Sequence, residues 1–217
     1  MSKIPLKIEI VSDVVCPWCI IGFKRLELAL SRCSDRIQAE LHWHPFQLNP
    51  HIPEGGQNLR EHLAQKYGTT LEQSIAARKR LTELGASLRF TFNYYDEMRT
   101  YNTFKAHQLL HWAKEQGKQT ELQMQLFSAY FSDRQAIDQI EPLLEAADRV
   151  GLDAIEARNI LETGLYTDAI EQMKSQWIQR GIHAAPTFIF NEKEMIFGAQ
   201  SVEIFTAQLE EFALETA

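Results

Sequence analysis

Leu6-Lys7-Ile8-Glu9-Ile10-Val11-Ser12-Asp13-Val14-Val15-Cys16-Pro17-Trp18-Cys19 is the stretch that decides the fold of this 217-residue chain. Residues 6–12 alternate apolar with polar and are rich in β-branched side chains, which predicts a strand. Asp13 to Val15 make a short turn. Cys16-Pro17 then opens a helix, because proline suits a first helical position whose N–H has no partner anyway. Cys19, Phe23, Leu26, Leu30 and Cys33 follow at steps of 4, 3, 4 and 3, one apolar helix face. Residues 38–46 read as a second strand, so the chain opens strand–helix–strand.

From residue 57 to 180 almost every segment reads as helix. The stretches Leu71 to Leu84, Thr103 to Glu115 and Leu122 to Phe131 each carry an apolar stripe. Asp138 with Glu141 has capping-box spacing ahead of Ile140, Leu143, Leu144 and Ala147, and Gly151 ends that helix. Tyr166, Ile170, Met173 and Trp177 line a later helix closed by Gly181. Leu88 to Phe92 alternates and predicts an extended connector. Strands return at Thr187-Phe188-Ile189-Phe190 and Glu194-Met195-Ile196-Phe197, before a last helix capped by Ser201. The expected class is α/β. A discontinuous domain of residues 1–56 and 181–217 shares one sheet between the two chain ends, and residues 57–180 form an all-helical insertion.

Two thiols at i and i+3 in a first helical turn project from one face and can bridge with little backbone movement. The unpaired N–H groups and dipole of a helix N-terminus favour negative charge. Cys16 is therefore expected to be the attacking, more exposed sulfur, and Cys19 the buried resolving thiol. The competing use of such a pair is half a zinc site. His42 and His44, on one face of the second strand, are the nearest candidates to complete it. No second C-x-x-C pair accompanies them, and no metal is expected. Cys33 lies about 21 Å along the helix from Cys19 at 1.5 Å per residue, too far to pair, and reads as buried and inert. Pro186 enters a strand directly, where it removes a ladder donor. A cis bond explains that position, and a trans proline at a strand's first residue is the alternative. Trp18 and Trp43 could pack near the thiols or fill core and rim. His107 and His111 are spaced i, i+4 on a helix, but without an H-E-x-x-H setting they read as ordinary helix residues.

The net charge is −7 with no basic block, which argues against nucleic acid or an anionic membrane as partner. No apolar run long enough to span a bilayer occurs. Lys7 and Glu9 interrupt any leader-like apolar segment, which makes a cytoplasmic location the expectation. There are three cysteines, far from a disulfide-stapled scaffold, and a close pair in a reducing compartment points to redox or metal chemistry.

Val11-Ser12-Asp13-Val14-Val15-Cys16-Pro17-Trp18-Cys19-Ile20-Ile21-Gly22 resembles the opening signature of DsbA-like oxidoreductases of the FrnE type. Tyr101-Asn102-Thr103-Phe104-Lys105-Ala106-His107-Gln108-Leu109 is similar to that group's insert motif. Ala185-Pro186-Thr187-Phe188-Ile189-Phe190 with Phe197-Gly198-Ala199-Gln200 resembles its cis-proline strand and final turn. The resemblance implies a thioredoxin fold with a helical insertion and dithiol–disulfide exchange at Cys16 and Cys19, Pro17 supporting the turn. It implies a cis-Pro186 loop facing the sulfurs and a residue-185 backbone that pairs with an extended substrate. It also implies a thiol or disulfide substrate, protein or small molecule, with no tightly bound cofactor and glutathione as a candidate co-substrate. Trp18 and Ala185 are the accompanying substrate contacts. Ala185 stands where the group usually carries valine, which could widen the groove. Two other readings remain open. One is a glutathione-dependent isomerase or transferase like 2-hydroxychromene-2-carboxylate isomerase and the kappa-class transferases, which typically carry serine at the attacking position. The other is a redox-switched, non-catalytic binding module. Substrate, direction and oligomeric state stay open.

Overall fold

Residues Ile4–Ser12 form β1 in the computed structural model, which describes residues 3–215. The expected domain ends at residues 1–2 and 216–217 lie outside the described residues. β1 is followed by α1 (Pro17–Arg32) and β2 (Ile37–Pro45). After a long excursion come β5 (Thr187–Phe190), β6 (Glu194–Phe197) and α9 (Val202–Glu215). The four-stranded sheet runs β2-β1-β5-β6. β1 pairs parallel with β2 and antiparallel with β5, and β5 pairs antiparallel with β6. The two chain ends thus share one sheet, and the α/β thioredoxin-type class expected from the sequence is what the chain adopts.

Between β2 and β5 lie β3 (Gln57–Asn58), α2 (Leu59–Tyr67), α3 (Leu71–Ser87), β4 (Arg99–Thr100), α4 (Phe104–Glu115), α5 (Gln119–Phe131), α6 (Ile140–Arg149), α7 (Ala154–Thr163) and α8 (Thr167–Gln179). β3 and β4 make a two-residue antiparallel ribbon, too short to leave an alternation in the sequence. The Asp138–Glu141 capping box does not form. Gln139 is the residue before α6 and makes no side-chain cap. The Asp138 carboxylate instead accepts the Gly55 N–H at 2.7 Å. A buried acid followed the stronger demand, an unpartnered backbone donor in a distant loop. Ser201 does cap α9, through Ile204 N–H at 3.4 Å.

β1 is the central strand and is covered on both faces. Its even positions Leu6, Ile8 and Ile10 pack with α1 and with Phe188 and Phe205 of the opposite chain end. Its odd face packs Val11 against Ile189, Ile182 and Trp177 of α8. Burial on both faces also encloses Glu9, which a half-buried alternating strand would have placed in water. Its carboxylate lies 3.2 Å from His44 Nε2 and 3.4 Å from Lys7 Nζ, with the His44 ring packed on Trp177. Phe23 of α1 meets Trp43 edge-on at 4.7 Å, and Trp43 meets Phe127 of α5 at 6.3 Å, so the core runs without a break into the helices.

The Glu9–His44 contact makes stability fall with acid. The His44 ring 3.2 Å away, more than Lys7, holds the Glu9 carboxyl down at about 2. The stabilisation is complete above the usual carboxylate range and is lost as pH drops from about 4.5 towards 2. Burial also lowers the His44 pKa, so below about 6.5 the unfolded chain takes up that proton more readily. Melting temperature should therefore decline steadily from pH 7 to pH 3. Glu9→Gln should lower stability at pH 7 by at most about 3 kcal/mol and flatten the loss below pH 4.5. A variant as steep as the parent there would contradict this assignment.

Candidate active site

β1 ends at Ser12, and the chain turns at once because Cys16 N–H donates back to the Asp13 carbonyl at 3.0 Å. Cys16 has extended backbone (φ −90°, ψ 113°) and occupies the N-cap of α1, with Pro17 as the first helical residue. Cys19 N–H donates to the Cys16 carbonyl at 3.1 Å, which closes the first turn and sets both thiols on it. Both stand as free thiols.

The proline loop reaches this turn through strand register. Thr187 pairs with Val11 in antiparallel β1–β5. Stepping back from Thr187 to Pro186 and Ala185 therefore steps forward along β1 past Ser12, towards Cys16. The Ala185–Pro186 peptide is cis, and the Cys16 thiol donates to the Ala185 carbonyl at 3.7 Å. The Pro186 carbonyl is taken by Gly198 N–H at 2.8 Å, which ties the loop to the end of β6. The structure thus brings together Cys16, Cys19, Pro17, Ala185 and Pro186.

The two sulfurs differ in surroundings. Cys16 is 3% exposed, less than a leading sulfur was expected to be, and Cys19 is wholly enclosed. Burial drives the Cys19 thiol well above its usual pKa, with Cys16 beside it adding to the rise and the Ser12 side chain and Asp13 backbone opposing it. Cys19 is thus held as the neutral thiol. Cys33, at the C-terminal end of α1, is buried, and desolvation raises its pKa too. Trp18 points outward, 38% exposed, with the Arg80 guanidinium 5.9 Å from its ring. Trp43 is core, its Nε1–H donating to Thr120 Oγ1. His42 lies 2.9 Å from Glu40, and the His44 ring faces Glu9, so each histidine of β2 has a carboxylate neighbour.

Sequence reasoning passed over Asp13 as a turn residue and His107 as an ordinary helix residue. Both are buried to within 2%. Asp13 Oδ2 accepts Leu48 N–H at 2.7 Å, and Oδ1 lies 3.7 Å from His107 Nε2. His107 Nε2 donates in turn to the Phe46 carbonyl at 2.9 Å. One residue group therefore anchors α4 and the loop after β2 beside the cysteine turn. Asn102 takes part as well: its Oδ1 accepts Phe104 N–H at the start of α4, and its Nδ2 donates to the Pro50 carbonyl. The signal available in the sequence was an aspartate between two buried apolar stretches.

Comparison with other proteins gives a consistent picture. A family profile described as DSBA-like thioredoxin domain matches residues 7–210. The Bacillus subtilis protein YwbO is 31% identical over 199 residues, 91% of this chain and 92% of YwbO. The crystal structure of a probable DsbA oxidoreductase from Streptomyces coelicolor superposes with a TM-score of 0.90 at 31% identity, covering 98% of this chain and 91% of its own. A 2-hydroxychromene-2-carboxylate isomerase superposes at 0.71 with 13% identity over 97% of each chain, a likeness of fold alone.

The environments of the three thiols predict their order of reactivity. A short iodoacetamide pulse on the reduced protein, read by peptide mapping, should label Cys16 at least about tenfold more than Cys19 or Cys33, because the thiolate is the reacting form and burial raises the pKa of the other two. Equal labelling at Cys19 would contradict the arrangement described.

Proposed function

Because this chain belongs to the DSBA-like thioredoxin domain family, we propose that it is a thiol–disulfide oxidoreductase working through a Cys16–Cys19 redox couple. The observation that carries the proposal is the pairing of Cys16, at a helix N-cap and 3.7 Å from the Ala185 carbonyl, with a fully buried Cys19 one turn on.

In the reducing direction the Cys16 thiolate attacks one sulfur of a substrate disulfide and releases the other as a thiolate, leaving a mixed disulfide. Cys19 then loses its proton and attacks Cys16 Sγ. The Cys16–Cys19 bond forms, the second substrate sulfur leaves as a thiolate, and two electrons have passed from enzyme to substrate. In the oxidising direction a substrate thiolate attacks the Cys16–Cys19 bond and the sequence runs backwards. Burial of Cys19 suits the resolving role, because its thiol stays neutral while Cys16 is reduced and is needed only once Cys16 is bonded to substrate. The Ala185 backbone, already within reach of Cys16, is the proposed rail for an extended substrate. Trp18 is a proposed contact at the rim, and glutathione a proposed co-substrate. Two cysteines, where isomerisation would use a single activating group, favour redox exchange over the isomerase reading.

Equilibration in glutathione buffers, followed by alkylation and intact mass, should show one reversible two-electron transition confined to Cys16 and Cys19, with Cys33 free throughout. Cys19→Ser should accumulate the mixed disulfide on Cys16, and Cys16→Ser should abolish exchange. Absence of any transition, or retention of glutathione-dependent isomerisation by Cys16→Ser, would replace the proposal with the isomerase reading.

A further inference from the structure

Beside the cysteine turn lies a cavity of about 240 Å³, lined by Val15 and Pro17, the two neighbours of Cys16, together with Tyr94 and residues of α2 and α3. It is smaller than the roughly 300–1,000 Å³ of drug-sized sites, and its lining is mainly apolar. Helix α2 roofs it. Leu59, Leu63 and Tyr67, one turn apart, face the space, yet no residue of α2 is fully buried. A surface helix normally buries its apolar stripe against a neighbour, and this one has an empty volume where the neighbour would be.

Part of the cavity lining is polar in an unusual way. Arg78 projects into it from α3 and is only 8% exposed. One guanidinium nitrogen, Nη1, donates to the Tyr95 carbonyl at 2.9 Å. Nε and Nη2, which together form the two-donor edge that fits a carboxylate, are buried without a partner. No carboxylate forms an ion pair with Arg78 among the described residues, whereas the more exposed Arg32, Arg36, Arg60, Arg149 and Arg158 each have one. Ser74, one turn earlier on the same helix face and 4% exposed, has an unpartnered hydroxyl, and so does Tyr94. Burying a guanidinium without a counter-charge is costly. Such a set of idle donors around a buried cation fits an anion supplied from outside.

We propose that this cavity is the substrate pocket for a small, mainly apolar disulfide (or the corresponding thiol) bearing a carboxylate, with the carboxylate on Arg78 Nε and Nη2 and the sulfur at Cys16. This rests on the redox reading above and adds the substrate class to it. The apolar body lies under Leu59 and Leu63 and completes the burial of α2. Val15 and Pro17 flank Cys16 and deliver the sulfur end to it. The exchange is the one already written: Cys16 bonds to the pocket-side sulfur, the other half leaves as thiolate, and Cys19 displaces the bound half as its thiolate. The enzyme dithiol supplies both electrons.

The test is single-turnover reduction of two aromatic disulfides by the pre-reduced protein in stopped flow. One, 5,5′-dithiobis(2-nitrobenzoate), carries carboxylates, and the other, 2,2′-dithiodipyridine, is neutral. Arg78→Met should slow the first by at least about tenfold and the second by less than about twofold, the size of one lost charge-assisted bond. Arg78→Lys, which keeps the charge without the two-donor edge, should fall between. Equal slowing of both disulfides would mean that Arg78 is structural, and an unchanged rate for the carboxylate disulfide would empty the pocket of its role; either overturns the proposal. A second measurement separates pocket from redox chemistry. In Cys16→Ser/Cys19→Ser protein, calorimetry should detect 3-phenylpropionate but not 3-phenylpropanamide, and Arg78→Met should abolish the signal. Binding of that kind in a protein whose thiols reduce neither disulfide would sustain the anion pocket and overturn the redox reading. Normal thiol exchange with no Arg78-dependent binding would do the reverse.

Discussion

The bond from Leu48 N–H to the buried Asp13 carboxylate is the joint on which the site depends. Asp13 stands where β1 ends and the cysteine turn begins, and its own carbonyl accepts the Cys16 N–H. The same residue therefore shapes the turn through its backbone and, through its side chain, pulls in the loop that leaves β2. That loop supplies the Phe46 carbonyl to His107 and the Pro50 carbonyl to Asn102, so α4 is seated by it. A carboxylate with almost no solvent contact is tolerable only if its oxygens meet donors or positive charge. One oxygen has a short backbone N–H, while the other faces the His107 ring at 3.7 Å. Removal of Asp13 would release the loop and the helix packing together, because they meet at one side chain.

The consequence for chemistry is a division of labour between two halves of the chain that are remote in sequence. The strand halves hold the sulfurs and the proline loop, and their geometry is a matter of register: Val11 opposite Thr187 leaves Ala185 no other place than beside Cys16. Among the described residues no hydrogen bond runs from the inserted helices to either sulfur. They wall the space next to the cysteine turn, through α2 and α3. Gly85 shows how closely that wall is built: a Cβ there would come within 2.5 Å of the Phe92 ring and 2.7 Å of the Phe90 carbonyl. The connector after α3 folds back over the helix at the one position that leaves it room.

Much of this was legible in the sequence because local and global signals agreed. The alternation of residues 6–12, the proline at the first helical position and the steps of 4 and 3 after Cys19 each point to the elements that formed, and glycines 151 and 181 mark helix ends where they were expected. Pro186 stood out because a proline opening an apolar strand conflicts with ladder hydrogen bonding. What could not be read depends on tertiary partners. Asp138 has capping-box spacing, yet Gly55 N–H lay within its reach and claimed it. Glu9 occupies a polar slot of an alternating strand, and only the packing of α8 over that face reveals that it is buried. Ser74 and Arg78 share the inward face of α3 with Leu81 and Gly85, but polar residues at those steps read as a solvent face until α2 is placed above them.

The pairing of β1 with β5 has a further consequence in time. Residues 8–11 meet residues 187–190, so nearly the whole chain must be synthesised before the central strand has its second neighbour. Contacts of such sequence separation form late and slow folding, since the closure entropy of the intervening chain must be overcome first. Until then the emerging chain can have its cysteine turn and first helix without the Ala185 carbonyl that receives the Cys16 thiol. An emerging chain therefore holds both cysteines before the loop that faces Cys16 has been made. The discontinuous sheet makes the segment around Ala185, and not the cysteine turn itself, the last part of the site to be put in place.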